Sequence, residues 1–469
     1  IADRGVLVYG PNRRFLTYIT DVLPSLGEND VRLATLPDLV GIEAPRSEPD
    51  DLGQIKGRAQ FAGVLARWVQ AREPQGIPLE VRTAHGTVIL DSDLVDAARR
   101  SAVQDDIGHN PARELFTERI VDELVNELEQ QTARELSDFE ADLKALQGID
   151  LDRMFANGSH SAGSDDANAS ADGLEIDWDR IRDELLDDAN IDRIISGVWP
   201  RLRAEDAVRG VLTDRATLAR ALPDVAAEQL TRMGDLNGID WSNADLALLD
   251  EARALIDGPP HDVFGHIVVD EAQQLTQMQW RTLMRRCPSR SMTIVGDLAQ
   301  TGPITTIRTW NEALQPFVSD RFAHRTLTIN YRTTEEILHT TEPLLARIAP
   351  EQRLSRSIRH GEHPTSVTVT EIDIASKLVE LIASTQEKHP GELIGIITAT
   401  QRSISLNTKL TRTGYTMIAA PDARGLEFDT VIIVDPDGIQ HASAAGLRDL
   451  YVAQTRATKR LITLTIAPT

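Results

Sequence analysis

The chain has 469 residues, enough for three or four cores, and its 41% hydrophobic content lies well above disordered territory. Its net charge of −23 argues against non-specific grip on a phosphate backbone, which needs clustered Lys and Arg. A single cysteine, Cys287, excludes a disulfide framework and a Cys-based zinc site; it reads as a packing residue, and the lone thiol suits a reducing cytosol.

The first residue is Ile and the chain opens on GVLVYG, a buried strand running into a turn at Gly10-Pro11-Asn12. No targeting segment precedes that strand, and we read the chain as a fragment continuing upstream. A helix through Phe15–Leu23 and further α/β material follow, up to about residue 57. Helical patterns then dominate, broken by a strand-like stretch at 78–90. From Asn110 onward apolar residues recur at Leu115, Phe116, Ile120, Val121, Leu124, Val125 and Leu128, the period of a long amphipathic helix. Two readings stay open for it: one member of a bundle, or an arm that grips a partner.

Residues 154–176 are Gly, Ser, Ala, Asn and Asp with little to bury, which predicts a mobile loop. Between Leu151 and Asp192 stand 12 acidic and 3 basic residues. Several short helices are predicted over 194–256. HIVVD and MTIVGD are β-branched runs ending in an acidic residue, as buried parallel strands do. SVTVTEI, LIGIITA, TVIIVD and RLITLTI are strands with helices between them. From Arg325 to Thr469 acidic and basic residues balance at 16 each, so the whole negative excess lies in 1–324. No apolar run approaches the roughly 20 residues needed to cross a bilayer.

Five short motifs carry the chemistry. Asp270 and Glu271 end the HIVVD strand, where a carboxylate can hold Mg²⁺ and its neighbour can activate a water. Gln300 closes VGDLAQ, and a neutral amide there can donate to a phosphate oxygen. Arg332 in LTINYR and Arg456 in YVAQTRATKR offer guanidinium forks for phosphate. Tyr331 reads as a packing or positioning residue. RGLEFD supplies Gly425 and Glu427. No window satisfies G-x-x-x-x-G-K-[ST], the loop that cradles triphosphates.

In their order along the chain the motifs resemble superfamily 1 helicases of the UvrD/Rep type. The resemblance implies an α/β fold of two RecA-like P-loop NTPase domains with parallel sheets. The first would comprise 1–57 and 196–324, interrupted by a mainly helical insertion at 58–195 with its acidic loop at 151–192; the second would be 325–469. It implies ATP and Mg²⁺ as ligands, Asp270 as the Mg²⁺ residue, and Asp270, Glu271, Gln300, Arg332 and Arg456 as catalytic residues. Glu427 would meet the ribose, Gly425 would let the backbone approach, and Arg332 and Arg456 would also bind nucleotide. Gly10-Pro11-Asn12 resembles the segment that touches nucleic acid, or closes the sheet edge.

The pattern GPNRRFL…YI…VLPSLGE, IKGR at 55–58 and the run 264–300 resemble a narrower family. It is HelD/HelR, the RNA polymerase-associated, helicase-like ATPase, nearest in its actinobacterial branch. That resemblance implies a cytoplasmic factor that binds core RNA polymerase at its clamp and main channel, opens the clamp and clears DNA or RNA. Asp165, Asp166, Asp172, Glu175, Asp177 and Asp179 would face the basic cleft. Helicases of the UvrD type carry base-stacking aromatics after GD-x-x-Q, whereas this chain reads QTGPITTIRTW, with Trp310 the nearest aromatic. The alternatives are a superfamily 1 DNA helicase of repair or recombination and a nucleotide-binding adaptor without turnover. Without the triphosphate loop, the chain by itself is expected not to hydrolyse ATP.

Overall fold

The computed structural model describes residues 5–13, 16–17, 31–103, 107–147, 176–235, 240–352, 354–410 and 415–467. In chain order, β1 (Val6–Tyr9) and β2 (Val31–Ala34) precede a hairpin of β3 (Leu79–Thr83) and β4 (Gly86–Leu90). Strands β5 (His266–Val269) and β6 (Met292–Ile294) follow, then the two-residue β7 (Ile329–Asn330) and β8 (Arg356–Ser357). The last five are β9 (Thr365–Val369), β10 (Ile394–Thr398), β11 (Met417–Ala419), β12 (Phe428–Val434) and β13 (Ala457–Ile466). The chain divides into two compact units: one of 1–61, 225–248 and 261–469, the other of 62–224 and 249–260.

The first unit holds two larger parallel sheets and the short parallel pair β7-β8. One has the order β2-β1-β5-β6, with Val6 opposite both Val31 and His266. The other runs β11-β10-β12-β13-β9, parallel throughout. The strand runs are short and almost wholly apolar because parallel strands are covered on both faces. In the second sheet this is visible residue by residue. Ile397, Val431, Ile433 and Leu461 point to the face packed by Ile337, Leu345 and Val452. Their neighbours Ile396, Ile432, Val434 and Leu464 point to the face packed by Ile374, Leu378 and Ile382. A period-2 strand that is apolar at every position must have two cores, and here it does.

The segment 46–57 is pinned to 241–245 by a charged cluster. Lys56, fully buried, donates to Glu48 and, at 2.8 Å, to Asp245. Arg46 reaches Asp245 at 2.6 Å, and the Ser242 hydroxyl bonds Glu48 and Asp245 at 2.8 Å each. Burial alone would raise the Asp245 carboxyl. The Lys56 charge and the hydrogen bonds from Lys56 and Ser242 outweigh it and hold the group below the usual carboxylate range.

In the second unit the expected long helix runs from His109 to Gln147, about 58 Å at 1.5 Å per residue. Phe116, Ile120, Val121, Leu124 and Leu128 pack on the hairpin residues Leu79, Val81, Val88 and Leu90 and on Ile181, Leu185, Ile191 and Ile195. From Ala133 to Asp142 every residue is exposed, including Leu136 and Phe139. The first part of this helix is thus a core member, while residues 133–142 meet no core. The predicted loop at 154–176, with Asp165, Asp166, Asp172 and Glu175, lies outside the described residues apart from Ile176. Asp177 is described and caps the helix Trp178–Leu186 by accepting from the Arg180 amide at 3.0 Å; Asp179 lies in that helix's first turn.

Candidate functional site

The turn after β5 is unusual. Glu271 adopts a left-handed backbone (φ 51), sparsely populated for a residue with a side chain. Three contacts hold it there: its amide donates to Asp270 Oδ1 at 2.8 Å, its carboxylate accepts from the Gln273 amide, and the next amide, of Ala272, donates to the Val295 carbonyl at 3.0 Å. Burial pushes the Glu271 carboxyl up, the Gln273 hydrogen bond opposes this, and the Asp270 charge adds to the rise. A carboxylate kept partly dry beside a second one has the character of a proton acceptor tuned toward neutral pH.

Gln273 also links this turn to the one after β6, accepting from the Asp297 amide at 3.0 Å. Asp297 is a hub. Its carboxylate accepts from the amide of Ala299 (3.0 Å), the side chain of Gln300 (2.9 Å) and the side chain of Gln352 (2.8 Å). Gln300 in turn offers its Oε1 to Arg456 Nη2 at 2.9 Å. A continuous chain of bonds thus runs from Glu271 through Gln273, Asp297 and Gln300 to Arg456, from the first sheet to the start of β13 in the second.

Arg456 is 6% exposed, and burial pulls its pKa down while the charges of Glu271, Glu427 and Asp297 counter that. Nη1 donates to the Leu426 carbonyl at 3.2 Å, and the buried Nε has no partner among the described residues. Arg332 lies closer to solvent and pairs with Glu427 at 2.6 Å, both about half exposed. Asn330 fixes the Arg332 turn by accepting from the amides of Arg332 and Thr333 at 2.8 and 2.9 Å. Asp297, Gln300, Arg332 and Arg456 all line one cavity of about 130 Å³, with Asn330, Gln352 and Tyr451 in its wall.

Of the residues singled out in the sequence, Gln300, Arg332 and Arg456 therefore meet at one cavity. Glu427 joins them through Arg332, and Asp270 and Glu271 stand behind through Gln273. Gly425 has φ 75 with open space where a Cβ would lie, so a left-handed bend accounts for the glycine at this position. Tyr331 does not pack: it is 73% exposed beside Arg332, which overturns its reading as a packing residue. Gly10 is buried and donates to the Ala34 carbonyl at 3.3 Å, while Pro11 and Asn12 are exposed beyond β1. Among the described residues no group of three or more His, Cys, Asp or Glu is arranged to hold a metal by protein ligands alone. Nor is any described helix long and apolar enough to cross a membrane.

The sequence reading missed four participants. Asp297 and Gln273 lie inside motifs already marked, and a carboxylate directly after a strand was the available signal. Gln352 had none. Arg424, the first residue of RGLEFD, carries a fork that donates to the carbonyls of Gln300 (3.2 Å) and Thr301 (3.3 Å) and to Asp449 at 2.7 Å. A lysine ammonium cannot span those directions.

Residues 422–464 match the model of the UvrD-like helicase C-terminal domain. That segment holds Arg424, Gly425, Glu427 and Arg456. No curated protein matches the chain. Among solved structures, the C-terminal domain of a "possible DNA helicase" from Lactobacillus plantarum WCFS1 is 20% identical, with a TM-score of 0.24, over 29% of this chain and 88% of that one. An arterivirus nonstructural protein 10 (helicase) is 17% identical with a TM-score of 0.27, over 44% of this chain and 40% of that one. The helicase of PRRSV is 15% identical with a TM-score of 0.18, over 42% and 36%. The chain thus spans less than half of each viral helicase. The structural facts are a mixed α/β chain with two larger parallel sheets and a C-terminal segment similar to the UvrD-like helicase C-terminal domain.

Proposed function

We propose that the two parallel sheets are two RecA-like domains of an ATP-driven, helicase-like motor, and that the motor remodels RNA polymerase. The observation that carries the motor reading is the convergence of Gln300, Arg332 and Arg456 on one cavity, with Glu271 connected to it through side-chain hydrogen bonds. The donor set fits a terminal phosphate: two guanidinium groups and an amide face the cavity, and Arg456 keeps a buried N–H without a partner.

In this reading Glu271 takes the proton of the attacking water, and its raised pKa suits that task. Asp270, beside Glu271, would hold Mg²⁺ together with phosphate oxygens and water, and the ion would neutralise charge on the phosphates. Glu427 would meet the ribose. An incoming phosphate competes with Gln300 for Arg456 Nη2. Its arrival would therefore break the bond between the sheets and its loss would restore it, which would turn hydrolysis into movement. The cradle for the remaining phosphates would come from a segment with the G-x-x-x-x-G-K-[ST] pattern, which this chain does not contain.

The polymerase reading is supported by the resemblance at 10–28, 55–58 and 264–300, by the negative excess confined to 1–324, and by a long helix exposed throughout residues 133–142. An acidic surface suits a basic nucleic-acid channel, where Asp165, Asp166, Asp172, Glu175, Asp177 and Asp179 would face displaced DNA or RNA. The match at 422–464 equally favours a second reading, a superfamily 1 DNA helicase. Co-elution with purified core RNA polymerase on gel filtration, alongside single-stranded DNA titrations at several salt concentrations, separates the two. The first reading expects a stable polymerase complex and weak DNA binding. Tight DNA binding with a steep salt slope and no polymerase complex would overturn it.

A further inference from the structure

The unit of 62–224 and 249–260 contains a groove of about 510 Å³ that none of the preceding argument uses. One wall is the helix Gln60–Gln70 and the two residues after it; the other is the helices Ala204–Thr213 and Arg215–Ala221. The floor is apolar: Val64, Ala71, Val211 and Ala221 line it beside the edge of Trp68. The walls approach closely at Trp68, because Gly210 faces it and a Cβ there would come within 2.6 Å of the indole nitrogen. That contact fixes the groove's width.

Three arginines rim this floor. Arg67 and Arg72 stand on one side and Arg220 on the other. Arg72 lies over the Trp68 ring at 3.1 Å from its centroid and donates to the Trp68 carbonyl. Arg220 bonds the Ala216 carbonyl and the Thr217 hydroxyl. Among the described residues none of the three has a carboxylate within ion-pair distance, although the Arg220 charge reaches Asp214 and Asp and Glu outnumber Lys and Arg by 72 to 49 in the chain. The carboxylate in the lining, Asp214, is engaged in capping the helix Arg215–Ala221 through the Thr217 amide.

We infer that this groove is a docking site for an acidic amphipathic segment of a partner protein, whose apolar side chains fill the floor while its carboxylates meet Arg67, Arg72 and Arg220. Charge complementarity selects this occupant. Guanidinium forks bind carboxylates in pairs, and an apolar floor needs an apolar face between them. A nucleic acid fits poorly: the Trp68 face is already covered by Arg72, so no base can stack there, and Asp214 occupies the adjacent helix N-terminus that would otherwise attract phosphate.

The test uses the full chain and fluorescence anisotropy. The probe is a labelled helical peptide with leucines at i, i+3, i+4 and i+7 and glutamates elsewhere. Controls replace the glutamates by lysine, or the leucines by serine, or substitute single-stranded DNA of similar length. The expected result is that only the Glu/Leu peptide binds, that salt weakens it, and that Arg67→Glu with Arg220→Glu lowers its affinity at least about tenfold, a difference of ~1.4 kcal/mol. Ala71→Asp, an exposed change within the floor, gives a similar loss with an unchanged thermal melt. Equal binding of the lysine peptide or of DNA, or an affinity unmoved by the arginine reversal in a folded variant, would overturn the assignment.

Discussion

Lys56→Met gives the sharpest view of what holds the first unit together. The ammonium is fully buried between Glu48 and Asp245, themselves almost fully buried. Methionine fills most of the same volume, so the loss is electrostatic. Two carboxylates then share a dry site with Arg46, 2.6 Å from Asp245 but 3.6 Å from Glu48, as the remaining cation of the cluster. Breaking a buried ion pair by deleting one partner costs about 3–5 kcal/mol, because the other partner is left charged and desolvated. Urea unfolding followed by circular dichroism reads this directly. The pH dependence gives a second check. The folded-state pKa of Asp245 is depressed, so its contribution is present above the unfolded carboxylate pKa of about 4 and is lost as pH falls through the folded value. The deficit of Lys56→Met should therefore narrow as pH drops below about 4, and Asp245→Asn in the same background should recover part of it. A loss under about 1 kcal/mol at neutral pH, or a deficit that ignores pH, would refute the reasoning.

Three further outcomes are expected. Glu271→Gln removes a carboxyl whose pKa burial has raised; such a group favours the fold below its unfolded pKa and loses that contribution as pH rises through the folded value, so the variant should melt higher than wild type at pH 8 and equal to it near pH 4. A lower melt at pH 8 would contradict the burial argument. Arg424→Met should cost about 3 kcal/mol or more in urea unfolding by stranding Asp449, with Asp449→Asn recovering part; a near-neutral effect would mean the tether to Gln300 and Thr301 carries no load. Leu136→Glu with Phe139→Glu should leave the melting temperature within about 2 °C, since both side chains are exposed, and should weaken polymerase binding; an unchanged complex would remove the outer half of the long helix from the interface.

The elements legible in the sequence were those whose burial leaves a periodic trace. TVIIVD and LIGIITA announced strands covered on both faces, and the apolar spacing from Leu115 to Leu128 announced the long helix. The motif residues were legible as chemistry but not as an arrangement. Nothing in the spacing of Gln300 and Arg456 shows that one accepts a hydrogen bond from the other, because the link forms only when two sheets some 150 positions apart in sequence are brought together. The Lys56 cluster was invisible for a related reason. A buried Lys and two carboxylates look like surface charge until the fold removes water from them. Tyr331 misled in the opposite direction: a large aromatic after a strand run suggests packing, yet β7 has two residues and no core to offer it.

The central claim is that the cavity bounded by Gln300, Arg332 and Arg456 receives the terminal phosphate of ATP. A photoreactive ATP analogue carrying its crosslinker on the γ-phosphate, added to this chain with Mg²⁺, tests it most directly. The account predicts label on the peptides containing Gln300, Arg332 and Arg456, competed by ATP and not by AMP, and sharply reduced in Arg456→Ala. Label elsewhere, or label at those peptides that ATP does not displace, would contradict it.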